Sequence, residues 1–188
     1  MLVIDWSQFL EKGLPLSAEF SKTAMTIGVF DGVHRGHQSL IQRVVSHNAS
    51  YVPAIITFRE NHKNSEKTNI QTFEERLEIF EQLGVEITLA IDFTESFRRM
   101  KGSEFLKILF KRGGVCFFAV GKSFRCGCDL DTSADDIKNF FASRGVQTEI
   151  VPEVTEGSLP VSSSRIRAAI ANGDFQLAQK MLGRAIAK

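Results

Sequence analysis

The sequence has almost no surplus of charge: 23 Lys and Arg stand against 22 Asp and Glu, a formal net charge of +1. Without an overall basic field there is no argument for DNA, RNA or an anionic membrane surface as a partner. Long hydrophobic runs are also missing, and none approaches the roughly 20 residues that a membrane helix needs. Met1–Lys12 carries Asp5 and has no basic region ahead of an apolar stretch, which speaks against a signal peptide. Cysteine is scarce and odd in number, at Cys116, Cys126 and Cys128. Such a set fits a reducing cytoplasm better than a disulfide scaffold. Cys126-Gly127-Cys128 hints at a metal, but no further Cys or His lies nearby in sequence to complete a tetrahedral site. No metal ligand is assigned.

What the chain does have is an ordinary globular composition, 43% apolar and 24% charged over 188 residues, which favours one domain over 1–188. Strand and helix patterns alternate along it. Thr26–Phe30, Val52–Phe58, Ile87–Ile91, Val115–Val120 and Glu149–Val151 read as strands. Gly36–Asn48 reads as a helix with Leu40, Ile41, Val44 and Val45 inward. Thr72-Phe73-Glu74-Glu75 is a capping box opening a helix that buries Phe73, Leu77 and Phe80 and stops at Gly84. Further helices are expected over Ser103–Phe110, Ser133–Ser143 and Ser162–Asn172, with a last one between Asp174 and Gly183. Arg59–Asn69 has no large aliphatic residue before its end and is expected to be an exposed loop. The fold class is therefore α/β, a parallel sheet with helices on both faces. Ligands of such sheets bind beyond the carboxyl ends of the strands, at the switch point.

At that place the sequence reads Gly28-Val29-Phe30-Asp31-Gly32, then His34-Arg35-Gly36-His37. A glycine-flanked turn lets backbone N–H groups approach a phosphate, and the helix it opens adds partial positive charge. Two imidazoles three residues apart share one face of the first helical turn, so both can meet one triphosphate. A second cluster, Ser162-Ser163-Ser164-Arg165-Ile166-Arg167, joins helix-capping hydroxyls to two guanidinium forks suited to phosphate. Arg98-Arg99 with Lys101, and Lys111-Arg112, read as solvated helix ends, and Phe105 with Leu109 as core.

Together these segments resemble the FAD synthetase family, the FMN adenylyltransferase domain of bacterial bifunctional riboflavin kinase/FAD synthetases. The likeness spans nearly the whole chain. Its first motif is matched by Gly28–Gln38 and its Val-Ser-Ser-Thr-x-Ile-Arg motif by Val161–Arg167. Ile56-Thr57-Phe58, Phe93-Thr94 with Gly102–Leu106, Val120–Gly127 and the closing Leu182-Gly183-Arg184 add support. The resemblance implies a Rossmann-like nucleotidylyltransferase fold. ATP would lie across Gly28, Phe30, Asp31, Gly32, His34, His37, Ser162, Ser163 and Arg165, with His34, His37, Ser162 and Arg165 acting on the phosphates. FMN would be held by Thr57, Phe58, His62, Ser123, Phe124 and Arg125, and Mg2+ would accompany ATP. The product would be FAD, with pyrophosphate released.

The sequence departs from the family in four places. Arg59-Glu60-Asn61-His62 stands where the family has x-Pro-His-Pro, Ser123 replaces Asn or Asp, Cys126 replaces a bulky aromatic and Ser164 replaces Thr. The sequence ends where the family's riboflavin kinase barrel would begin, so no kinase domain is expected. A monomer or weak oligomer in the cytoplasm, with ATP and FMN as its partners, completes the expectation. The alternatives are a nucleotidylyltransferase with another phosphorylated acceptor, or a non-catalytic flavin- or nucleotide-binding protein.

Overall fold

A computed structural model of the chain describes residues 1–16, 21–60 and 69–186. Its strands are β1 (Leu2–Asp5), β2 (Thr23–Ile27), β3 (Val52–Phe58), β4 (Ile87–Ile91), β5 (Val115–Gly121), β6 (Arg125–Cys126), β7 (Thr132–Ser133), β8 (Gln147–Val151), β9 (Thr155–Glu156) and β10 (Leu159–Pro160). The helices are α1 (Trp6–Lys12), α2 (Arg35–Val45), α3 (Phe73–Gln82), α4 (Glu95–Arg98), α5 (Gly102–Arg112), α6 (Ala134–Ala142), α7 (Ser163–Ala171) and α8 (Phe175–Leu182). Six strands form one parallel sheet in the order β1-β4-β3-β2-β5-β8, while β6–β7 and β9–β10 are short antiparallel pairs.

Thr-Ala-Met-Thr-Ile in β2 and Ile-Thr-Leu-Ala-Ile in β4 are buried at every position, as expected for parallel strands covered on both faces. Along β3 the faces alternate. Ile56 packs into a large cluster with Phe9 of α1, Leu109 of α5 and Phe141 of α6. Ile55 faces Ile41 of α2 and Phe80 of α3 on the other side. A third cluster, with Ile166, Ala169, Ala178 and Met181, joins α7 to α8. β2 has β3 on one side and β5 on the other, so the switch point lies at its carboxyl end.

Several expectations shift. β2 runs Thr23–Ile27 rather than Thr26–Phe30, because Phe30 turns left-handed at φ +55° and carries the chain away from the sheet. α2 ends at Val45, and β8 starts earlier, at Gln147. The Thr72–Glu75 capping box and the Ser133 cap are both present. In α3, however, Phe73 and Leu77 are only half-buried, and Arg76 lies in the interior with Phe80. β1 and α1 had no sequence assignment. The expected loop after Arg59 falls largely outside the described residues. No helix among the described residues is long and apolar enough to cross a membrane.

Candidate active site

The turn after β2 owes its shape to two glycines. A Cβ at Gly28 would meet the Phe30 ring at 3.1 Å, and Gly32 sits at φ +82° with Ile70 at 3.0 Å from such a Cβ. Phe30 is fully buried, edge-on to His37 at 5.1 Å and to Phe80 at 5.6 Å. Its ring supports the histidines from beneath, and Phe30 is among the residues that line the polar cavity. Arg184 and Gln38 fix the carbonyls of the turn: Arg184 donates to Gly32 O (2.6 Å) and Val33 O (3.0 Å), and Gln38 to Val33 O (2.8 Å). The closing Leu-Gly-Arg segment thereby becomes a brace for the phosphate turn.

His34 is the N-cap of α2, its Nδ1 accepting the His37 N–H at 3.4 Å. The acceptor role leaves the ring proton on Nε2. The two imidazoles stack with centroids 3.6 Å apart and planes at 17°. Burial pushes the His34 pKa down to about 4, with the nearby Arg184 charge adding to the shift. His37 is held well below its ordinary value, first by desolvation and then by the charges of His34, Arg76 and Arg184. Both rings are thus neutral near pH 7. The buried Nδ1 of His37 has no hydrogen-bond partner among the described residues.

Across from the turn, Ser162 caps α7 by accepting the Arg165 N–H, so the amino ends of α2 and α7 border one polar cavity. Ser163 Oγ donates to Asp31 O (2.8 Å). Asp31, 3% exposed, is engaged by Arg167 at 2.5 Å and by the Ile70 N–H at 2.8 Å. It is the strut joining turn to helix. Both arginines of this cluster were expected to suit phosphate, but only one of them lines the cavity. Arg165 donates to Leu159 O (2.8 Å) and Pro160 O (2.6 Å) and does not line the cavity, whereas Arg167 does. A two-residue step on a helix turns a side chain by about 200°, so only one of the pair can face the turn. Gly28, His34, His37, Ser123, Ser162 and Ser163 also line the cavity, as does Lys122, which the sequence did not single out.

A second, apolar pocket opens beside the first. Phe58, Phe93, Phe97, Phe105, Phe124 and Met100 give it an aromatic-rich wall, with Glu60, Arg98 and Arg125 among its polar residues. Ile27, Val29 and Phe124 line both pockets. Of the expected flavin residues, Phe58, Phe124 and Arg125 face this slot and Ser123 the polar cavity. Thr57 is fully buried, donating to Val29 O (3.2 Å), and lines neither pocket; His62 lies outside the described residues. Phe93, noted only as part of a supporting segment, and Phe97 were not assigned to the flavin site, because they come from the β4 exit and α4 and nothing in their spacing connects them to Phe124. Arg98, expected to be a solvated helix end, is well exposed yet borders the slot.

No group of three His, Cys, Asp or Glu side chains among the described residues is arranged to hold a metal ion. The one acid in the polar cavity's turn, Asp31, is already engaged by Arg167. Among the described residues the cavity's carboxylates, Asp31 and Glu153, do not make up a resident magnesium cage.

The FAD synthetase family model matches residues 16–165. A bifunctional riboflavin kinase/FMN adenylyltransferase from Pseudomonas fluorescens is 33% identical over 177 residues, covering 90% of this chain and 57% of the relative. The Bacillus subtilis (strain 168) protein of the same name is 28% identical over 181 residues, covering 90% and 56%. The chain thus spans little more than half the length of these curated relatives. A crystal structure described as a macrolide-efflux protein from Streptococcus pneumoniae matches with a TM-score of 0.83 at 26% identity, covering 99% of this chain and 61% of that one.

Proposed function

We propose that this chain, which belongs to the FAD synthetase family, transfers the adenylyl group of ATP to the phosphate of FMN, yielding FAD and pyrophosphate. One observation carries the reading: a polar cavity under two helix N-termini shares the wall Ile27, Val29 and Phe124 with an aromatic slot. The polar side suits a triphosphate and the aromatic side a planar ring system. Their common wall is where the two reacting phosphates meet.

ATP lies in the polar cavity, its phosphates facing the N-termini of α2 and α7, whose exposed N–H groups and dipoles favour anions. Neutral His34 donates from Nε2, and His37 offers its orphaned Nδ1 to the bound nucleotide or its water. Arg167 and Lys122 supply full positive charge, and Ser162 and Ser163 hold α7 in register. The isoalloxazine ring fills the slot between Phe58, Phe97 and Phe124. The FMN phosphate, with a second pKa near ~6, is largely a dianion at neutral pH and needs no strong base. Its oxygen attacks the α-phosphorus; the new P–O bond forms as the α–β bridging bond breaks, and pyrophosphate leaves with that electron pair. Negative charge gathers on the leaving pyrophosphate, where the helix ends and His34 stabilise it. Positioning and electrostatics carry the rate. Magnesium enters with the triphosphate as part of the substrate, and no step here depends on a protein-held ion.

The site residues come from a single domain of one chain, so the reading needs no second copy. The three free cysteines and these substrates suit a cytoplasmic protein. Purified protein incubated with FMN and magnesium-ATP should release FAD and pyrophosphate in equal amounts. Release of pyrophosphate only with a different phosphorylated acceptor would overturn FMN as the substrate, and flavin binding without turnover would point to a binding protein.

A further inference from the structure

Arg76 is 3% exposed, and although the charges of Asp31 and Glu74 act on it from a distance, no carboxylate among the described residues lies within ion-pair contact. Buried arginines ordinarily have an acidic partner, because a desolvated lone cation is unfavourable. This one is held by oxygens from three segments of chain. Nη1 donates to Val29 O at 2.6 Å and to Thr57 Oγ1 at 3.2 Å. Nη2 donates to Phe58 O and Arg59 O, both at 2.9 Å. Nε reaches Thr72 O, in the capping turn of its own helix, at 3.4 Å. Thr57 Oγ1 itself donates to Val29 O, closing the network. The Phe73 ring lies against the guanidinium carbon at 5.3 Å.

Apart from Thr72 O, the oxygens so gathered belong to the exits of β2 and β3, and these exits are the partition between the two pockets. Val29 lines both, and Phe58 and Glu60 line the aromatic slot. We propose that Arg76 is a positioning residue for adenylyl transfer: its fork pins the Val29 carbonyl against Phe58 and Arg59, fixing the wall across which the FMN phosphate reaches the α-phosphorus. It lines neither pocket and acts only through that wall. A planar fork with fixed donor directions can bridge two backbones at once, whereas an ammonium group cannot reproduce the span. The inference rests on the FMN adenylyltransferase reading for the reaction it serves, but the clamp itself does not depend on that reading.

Arg76→Lys keeps the charge and loses the fork. The protein should still fold and bind ATP and FMN with dissociation constants within about threefold of wild type, while kcat falls by about 30- to 100-fold, the scale of a misplacement near 1 Å. A merely structural arginine would instead weaken both ligands and lower the melting temperature without that split. Hydrogen exchange on the ligand-free protein tests the clamp without any turnover: peptides over residues 28–33 and 57–60 should exchange about tenfold faster, and β5 should be unchanged. If Arg76→Lys does not fold, Thr57→Val removes one link of the network and should give a smaller loss in kcat with the same exchange pattern. A kcat within threefold of wild type, or unchanged exchange in both peptides, overturns the proposal. Wild-type protein that makes no FAD overturns the FMN reading instead, and the exchange experiment then decides the clamp by itself.

Discussion

Replacing Arg167 with Met deletes a charge that Asp31 relies on, and the structure sets the size of the effect. The Asp31 side chain keeps 4% of its accessible surface and that of Arg167 14%, so water cannot readily replace the lost partner. Removing one member of a buried pair is destabilising by roughly 3–5 kcal/mol. Here the Ile70 N–H remains on the other carboxylate oxygen and the arginine is not wholly sealed, so about 2–3 kcal/mol is expected. At roughly 2–4 °C per kcal/mol for a chain of this size, the melting temperature should fall by about 4–12 °C. Calorimetry and urea unfolding read this directly. Asp31→Asn added to Arg167→Met removes the stranded charge and should restore at least about 1 kcal/mol, a coupling well outside the ~0.3–0.5 kcal/mol scatter of independent sites. ATP affinity should not return, because Arg167 faces the nucleotide cavity. A fall below 2 °C, or additive single effects, would refute Asp31–Arg167 as the strut between the turn and α7.

Burial of the histidines has a sign that acid unfolding can test. Unfolded His34 titrates near 6.5 and folded His34 near 4. Between those values the unfolded chain binds a proton that the folded chain refuses, so stability falls as pH falls through this window. His34 alone accounts for about 3 kcal/mol of that loss, and His37 acts in the same direction. His34→Asn, which retains a good N-cap acceptor, should flatten the stability profile between about pH 6.5 and 4; an unchanged slope would show that His34 is not held neutral. His37→Ala should lower kcat by about two to three orders of magnitude in a steady-state assay, the scale of losing a transition-state donor, and full activity would remove the histidine turn from the mechanism. Phe97→Ala should raise the FMN dissociation constant about tenfold in a fluorescence titration, about 1.4 kcal/mol of lost ring contact. Its ATP affinity should be unchanged, and weakened ATP binding would argue against two separate pockets.

The sheet and the phosphate turn were legible because their signals are local. Continuous apolar runs gave the buried strands, capping residues opened the helices at Thr72, Ser133 and Ser162, and glycines marked the turn after β2. β1 and α1 were not legible for the same reason. β1 is an edge strand that buries only Ile4, and α1 is a seven-residue helix whose N-cap side chain, Asp5, pairs with Arg59 and makes no capping bond. The choice between Arg165 and Arg167 depends on how α7 is rotated against the turn, a tertiary fact absent from the motif. The aromatic slot draws on β3, the β4 exit, α4, α5 and the β5–β6 connection, and no spacing in one dimension unites them. Arg76 left one readable trace: it stands between Phe73 and Phe80 on the same helical stripe, a charge where the pattern calls for an apolar residue.

The claim that one continuous site joins a nucleotide cavity to a flavin slot is tested most directly by following the α-phosphate. In a single turnover with enzyme in excess over FMN, ATP labelled on its α-phosphorus should pass its label into FAD, while ATP labelled on the γ-phosphorus should deliver its label only to pyrophosphate. Label appearing in free AMP, or in no flavin at all although both ligands bind, would contradict transfer across the Val29 wall.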